Sequence, residues 1–324
     1  MRRRILFLGA VGAVLAGGAV SCWALAPGDA VTNVAEAGPD YRVQGEYTGR
    51  AGDRDLGVQV IVLGDGAFQA VFHPGGLPGA GWDKKTRIRV EGRADGSATR
   101  FEGSGWKGTI SDGTFEGQTA EGASFRLRRV ERKSLTLGAK PPQGAVVLFD
   151  GTSADAWQGG RMTADGLLDA GARTKQAFGD FTIHFEFRTP FMPKARGQGR
   201  GNSGLYLQDR YELQILDSFG LDGKNNECGG FYSFREPDQN MCFPPLAWQT
   251  YDIDFQAARF DDAGKKTQNA LVTVKHNGVV IHDRVELPNA SPGGRPEAAG
   301  PGPFQVQNHG NPVHVRNVWV LEKK

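Results

Sequence analysis

Apolar residues along this chain recur at every second position in short runs, and almost never at the three-to-four spacing of a helix. The clearest case is residues 201–217, which predict two strands joined by a polar turn at Asp209-Arg210. In the first, Leu205 and Leu207 point one way, and Tyr206 and Gln208 the other. In the second, Leu213 and Ile215 point one way, and Glu212 and Gln214 the other. Each strand therefore has one dry and one polar face.

The same pattern organises the rest of the chain. Between residues 41 and 134 it predicts six or seven strands, among them Val58–Leu63 and Ala67–Phe72 around the hairpin signal Gly64-Asp65-Gly66. Gly138, Pro141 and Pro142 mark residues 135–144 as a linker, and residues 27–40 read as a tether. From 145 to 324 a larger set follows, including Phe181–Phe187, Tyr251–Gln256, Leu271–Lys275, Val279–Arg284, Phe304–Gln307 and Val313–Leu321, with an Asn277-Gly278 hairpin turn. The expected fold class is all-β: a small antiparallel β-domain, then a sandwich of two stacked sheets.

Composition narrows the function classes. A formal charge of +2, with basic residues scattered along the chain, gives no case for nucleic acid. Residues 1–26 read as a targeting segment, with Arg2, Arg3 and Arg4 before an apolar run from Ile5 to Val20. Ala19-Val20-Ser21-Cys22 resembles a lipoprotein box that would lipidate Cys22, although Ala19 stands where Leu is usual. Ala24-Leu25-Ala26 offers an ordinary cleavage site, followed by an unfavourable Pro27, and a retained anchor is a third reading. All three put the mature chain outside the cytoplasm, in the periplasm or on the outer surface, with membrane contact only through the N-terminal anchor. In that setting Cys228 and Cys242, close together in a loop-rich stretch, are expected to form a disulfide; the alternative is two buried thiols.

The order and spacing of several segments resemble one family. They are Val147 to Thr152, Gly179-Asp180-Phe181, Gly201 to Gly204, Tyr211 to Asp217, Trp248 to Ile253, Asn277-Gly278, Gln307-Asn308-His309-Gly310 and Arg316-Asn317-Val318. On these residues, 145–324 is similar to the 3-keto-disaccharide hydrolases; the N-terminal β-domain lies outside the likeness. The resemblance implies a concanavalin-like jelly roll and a carbohydrate substrate whose C3 hydroxyl has been oxidised to a ketone. Such a ketone acidifies the C2 proton. Removing that proton lets the C1 substituent leave, and water can then add. This chemistry needs a base near C2 and a hydrogen-bond donor at the C3 oxygen, not the paired carboxylates of ordinary glycosidases.

Candidate residues follow from the motifs and the strand parity. Glu212 is the leading base. His309 shares the polar parity of Gln305 and Gln307 if the strand runs on through Asn308, and could serve as acid, base or ligand. Asp217 reaches the site only if its strand ends or bulges there. Asn202 and Ser203 enter the first strand through glycines, so backbone can approach a ligand. Tyr206, Gln208, Gln214, Gln307, Tyr232 and Arg316 are the expected sugar contacts, although a structural ion pair is the stronger reading of Arg316. Glu212 and His309, with Asp217, make an oxygen-and-nitrogen donor set that suits several divalent ions, so a divalent metal ion is the one cofactor the residues suggest. The run from Gly197 to Gly201 leads into a strand and is not a dinucleotide loop. The alternative function is a non-catalytic carbohydrate-binding module.

Overall fold

The computed structural model describes residues 30–323; the targeting segment and Cys22 lie outside the described residues. Two all-antiparallel units follow one another. The first is a closed eight-stranded barrel. Its strands are β1 (Gly45–Ala51), β2 (Arg54–Gly64), β3 (Ala67–Pro74), β4 (Ile88–Asp95), β5 (Ala98–Gly103), β6 (Trp106–Ser111), β7 (Thr114–Gln118) and β8 (Ser124–Val130). Pairing of β8 with β1, Leu127 opposite Gly49, removes the open edges. The pattern had not announced β1, whose Gly45 and Gly49 interrupt the apolar alternation.

Small and large residues alternate across the barrel interior. Gly92 lies beside Phe101, and Gly108 and Gly117 leave room for Phe115 and Phe125. A Cβ on Gly117 would stand 2.1 Å from the Lys107 carbonyl oxygen, where backbone cannot yield. Gly117→Ala should therefore destabilise the barrel by about 1–3 kcal/mol, seen as a lowered thermal midpoint. Trp82 and Trp106 are buried, Trp106 against Phe72.

The second unit is a two-sheet sandwich of jelly-roll type. It contains β9 (Val146–Phe149), β10 (Trp157–Gln158), β11 (Leu168–Asp169), β12 (Ala172–Thr174), β13 (Phe181–Arg188), β14 (Ser203–Leu207), β15 (Tyr211–Ile215), β16 (Gln249–Gln256), β17 (Arg259–Phe260), β18 (Lys266–Gln268), β19 (Ala270–His276), β20 (Val279–Leu287), β21 (Gln305–Val306) and β22 (His314–Glu322). One sheet has the order β10-β12-β21-β14-β15. The other runs β11-β22-β13-β16-β19-β20, with β9 added on β22. Leu205, Leu207, Leu213 and Ile215 of the smaller sheet share one core with Phe181, Ile183, Phe185, Phe187, Ile253, Val315 and Val320 of the larger. By alternation, Tyr206, Glu212 and Gln214 lie on the outer face of the smaller sheet, and His184, Glu186, Asp252 and Arg316 on the outer face of the larger.

The units are packed on each other. Phe191 and Leu246 of the sandwich join the barrel core, with Val31 and Tyr41 against that cluster. Part of the expected tether is thus ordered structure. Val31 pairs with Phe191, Gly38–Val43 forms a short helix, and the Tyr41 hydroxyl donates to Pro245 O at 2.9 Å. Apolar burial outweighs the loop-like composition there. The expected linker is also docked. Thr136 Oγ1 donates to Asp252 Oδ2 at 2.5 Å and Gly138 N donates to Glu186 Oε1 at 2.5 Å, while Ala139 O accepts from Asn317 Nδ2 and Trp319 Nε1.

The expected disulfide is absent: Cys228 and Cys242 are free, fully buried thiols. Cys228 Sγ lies 3.2 Å from the Tyr251 hydroxyl, and Cys242 Sγ donates to Phe243 O at 3.4 Å. Each packs as a small core residue with its own polar partner. Among the described residues, no helix is long and apolar enough to cross a membrane.

Candidate functional site

The outer face of the smaller sheet gathers most of the polar residues singled out by the sequence. Tyr206 and Glu212 are direct cross-strand partners, as are Gly204 and Gln214. The Tyr206 hydroxyl donates to Glu212 Oε2 at 2.7 Å. The other carboxylate oxygen leans over Gly204, where a Cβ would meet Glu212 Oε1 at 2.4 Å. The glycine of the Asn-Ser-Gly segment thereby makes space for the acid on the neighbouring strand. Above them lies the 291–294 segment. Ser291 Oγ accepts from Glu212 N at 2.9 Å, and Gly293, at φ 83°, passes so close that a Cβ would lie 3.2 Å from the Tyr206 hydroxyl.

Glu212 is 3 % exposed. Burial pushes its pKa up from 4.5 to about 7, partly offset by the Tyr206 hydrogen bond, and no neighbouring charge contributes. Burial raises the Tyr206 phenol too, so it stays a donor. Tyr232 is half-buried nearby, its backbone N bound to Glu212 O. It lines a cavity of about 170 Å³ with Ser291 and Pro292.

A ring of amides surrounds this acid. Gln307 Nε2 donates weakly to the Tyr206 hydroxyl at 3.4 Å, and Gln307 N donates to Gly204 O. Ser203 Oγ donates to Gln307 O at 2.8 Å. Asn202 Nδ2 donates to Gln198 O at 2.8 Å, and Gln214 Nε2 to Gln198 Oε1 at 3.2 Å. Two acceptors in this ring, Asn202 Oδ1 and Gln307 Oε1, are buried with no partner. Buried acceptors left open cost about 1–3 kcal/mol each, and donors on a ligand would satisfy them.

Four expected site residues are elsewhere. Asp217 is buried against Arg200, whose Nε donates to Asp217 Oδ2 at 2.7 Å. The strand ends at Ile215, and the carboxylate turns toward this cation. Gln208 is not on the polar strand face. It and Asp209 form the hairpin turn with φ 53° and 62°, and Gln208 Nε2 donates to Phe178 O at 2.9 Å. His309 is exposed: β21 ends at Val306, so the parity argument fails beyond Gln307. Arg316 lies on the other sheet, across the sandwich. Its Nε donates to Glu186 Oε2 at 2.7 Å and its guanidinium stacks 4.1 Å from the Trp248 ring centre.

Glu212, Asp217 and His309 therefore do not form a ligand set. Among the described residues, no group of three or more His, Cys, Asp or Glu side chains is placed to hold a metal ion. Asp217 is neutralised by an arginine, and Glu212 has the phenol as its partner.

Two features escaped the sequence reading. Gln198 was passed over as part of a glycine run, yet it ties Asn202 to Gln214. The second is a buried network on the larger sheet's outer face. His184 Nδ1 sits 2.6 Å from Asp252 Oδ1 and His184 Nε2 3.2 Å from Glu186 Oε1. The signal was available: His184 and Glu186 alternate with Ile183, Phe185 and Phe187, and Thr250 and Asp252 with Tyr251 and Ile253.

Fold and site together define a jelly-roll protein with one ionisable acid set in an amide-rich outer face. The sequence model of the 3-keto-alpha-glucoside-1,2-lyase-like domain matches residues 144–321, and the chain belongs to that family. The matched region is the sandwich; the barrel precedes it. Fourteen chains of known structure match. One is a candidate glycosyl hydrolase from Parabacteroides distasonis, 32% identical, with a TM-score of 0.52, covering 56% of this chain and 85% of that one. Another candidate glycosyl hydrolase from the same organism is 18% identical with a TM-score of 0.40, covering 56% of this chain and 95% of that one. No curated protein matches.

Proposed function

We propose that this protein cleaves 3-keto-glycosides, with Glu212 as the base that removes the C2 proton. The observation that carries the reading is the buried Glu212 carboxyl on the polar sheet face, bound by the Tyr206 phenol at 2.7 Å, with burial pushing its pKa up to about 7. A base of that pKa is poised to take and return a proton near neutrality. Ordinary glycosidases instead need two carboxylates across the scissile bond. The family and the description of the solved relative support a glycoside substrate.

In this scheme the Glu212 carboxylate takes the C2 proton, and the electron pair moves to the C3 oxygen as an enolate. The enolate re-forms the ketone as the C1–oxygen bond breaks, leaving a C1–C2 double bond. The departing oxygen takes its proton from a water, and the hydroxide left adds to C1 as Glu212 returns its proton to C2. That addition across the double bond completes hydrolysis. Gln307 Nε2, held only weakly by Tyr206, is the amide donor available to the C3 oxygen. Asn202 Oδ1 and Gln307 Oε1 would accept from sugar hydroxyls. The reaction takes place outside the cytoplasm, where the N-terminal segment directs the chain.

The pH dependence tests the assignment. Only ionised Glu212 can act as base, so kcat/KM for a 3-keto-glucoside should rise with pH and level off above about 7. The Tyr206 hydroxyl stabilises the carboxylate, so Tyr206→Phe should move this limb to higher pH. A limb that stays in place in the Phe variant removes Glu212 as its source. If neither oxidised nor unoxidised disaccharides are cleaved but either one binds, the protein is a binding module.

A further inference from the structure

Resting on that reading of the site, we infer that the barrel is a brace for substrate recognition: the β2–β3 hairpin tip, held by Arg196 and Arg200, fixes the loop that presents Gln198 and Asn202. The barrel lies outside the family match. Its β2–β3 tip nevertheless reaches the site loop directly. Arg196 Nη2 donates to Leu63 O at 2.6 Å, while Arg196 Nη1 donates to Pro193 O at 2.6 Å and Ala195 O at 2.8 Å. Arg200 Nη1 donates to Val62 O at 3.3 Å while Arg200 Nε holds Asp217. Gly64, at φ 85°, packs on Lys194, and Asp65 pairs with Lys194 Nζ at 2.7 Å. Behind the tip, Phe219 of the sandwich packs with Ile61 and Val71 of the barrel.

Between the two anchored arginines sits Gln198, which fixes Asn202 and Gln214. Leu63 and Val62 carbonyls are rigid acceptors because their strand belongs to a closed barrel. The brace therefore sets where the open Asn202 Oδ1 acceptor points. Glu212 and Tyr206 are held by other elements, β15 and the 291–294 segment, and do not depend on it. Arg196 and Arg200 are positioning residues.

The test compares the full chain with Arg196→Gln, Arg196→Lys and, as a control at the same interface, Arg89→Gln, which breaks the Arg89–Asp222 pair away from this loop. Arg196→Gln should raise KM for a 3-keto-glucoside about tenfold with kcat changed less than about twofold. Arg196→Lys should recover part of that loss. Amide hydrogen exchange over residues 197–203 should quicken in Arg196→Gln and stay unchanged in Arg89→Gln. Unchanged exchange in Arg196→Gln, or equal KM increases in Arg196→Gln and Arg89→Gln, overturns the brace. Faster exchange with an unchanged KM also overturns it, provided Glu212→Gln is inactive. If Glu212→Gln is fully active, the base assignment has failed independently, and the exchange comparison alone decides the brace.

Discussion

Glu212→Gln should reduce turnover of a 3-keto-glucoside by about 10²–10⁴-fold, the usual contribution of a general base, while leaving the fold intact. The amide has the same shape, and its oxygen can still accept from the Tyr206 hydroxyl, so the packing over Gly204 is retained. Stability should even gain above neutral pH. The folded pKa of Glu212 is raised from 4.5 to about 7, so its contribution is fully present below about 4.5 and is lost as pH rises through 7. A glutamine carries no such loss. Rate measurements on purified protein, with thermal unfolding at pH 5 and pH 8, check both halves. Wild-type activity in the variant would end the case for Glu212. Lost activity with a collapsed fold would make the residue structural.

The largest stability effect should come from the opposite side of the sandwich. Glu186→Gln should cost about 3–5 kcal/mol, because removing one partner of a buried ionic network strands the others. The glutamate is fully buried and takes hydrogen bonds from Arg316 Nε, Asn317 Nδ2, Gly138 N and His184. For a chain of this size that corresponds to a fall of about 4–7 °C in the thermal midpoint. A fall of only a degree or two would mean that the network adds little.

The same network carries a pH signature. Burial alone would raise the Glu186 pKa, but its four partners outweigh burial and lower it from 4.5 to about 2. Its contribution is therefore full above about 4.5 and lost as pH falls toward 2. Burial alone would lower the His184 pKa, but Asp252 and Glu186 outweigh it and raise it above 6.5. Its contribution is full below about 6.5 and lost as pH rises through the higher folded value. Linker docking through Thr136 and Gly138 should accordingly be firmest between about pH 4.5 and 6.5. Proteolysis within 134–144 should be slowest in that window.

By itself the sequence determined most of the longer strands, the two β-units, the family and the residues of one polar face. These are local properties. Period-two alternation names the face of Tyr206, Glu212 and Gln214 without knowledge of what covers it, and motif order carries the family. Tertiary structure alone decided which polar residues meet. Parity cannot say which sheet a strand joins, so it could not place Glu212 and Arg316 on opposite outer faces, although the ion pair that was the stronger reading of Arg316 is the one it makes, with Glu186. Nor can it say where pairing stops, which is why His309 falls beyond β21 and Gln208 into the turn. Asp217 was claimed by an arginine only once the chain had folded back on itself. Burial, which lifts Glu212 to near neutrality, and the barrel's contact with the 193–200 loop both arise from segments distant along the chain, and no local pattern encodes them.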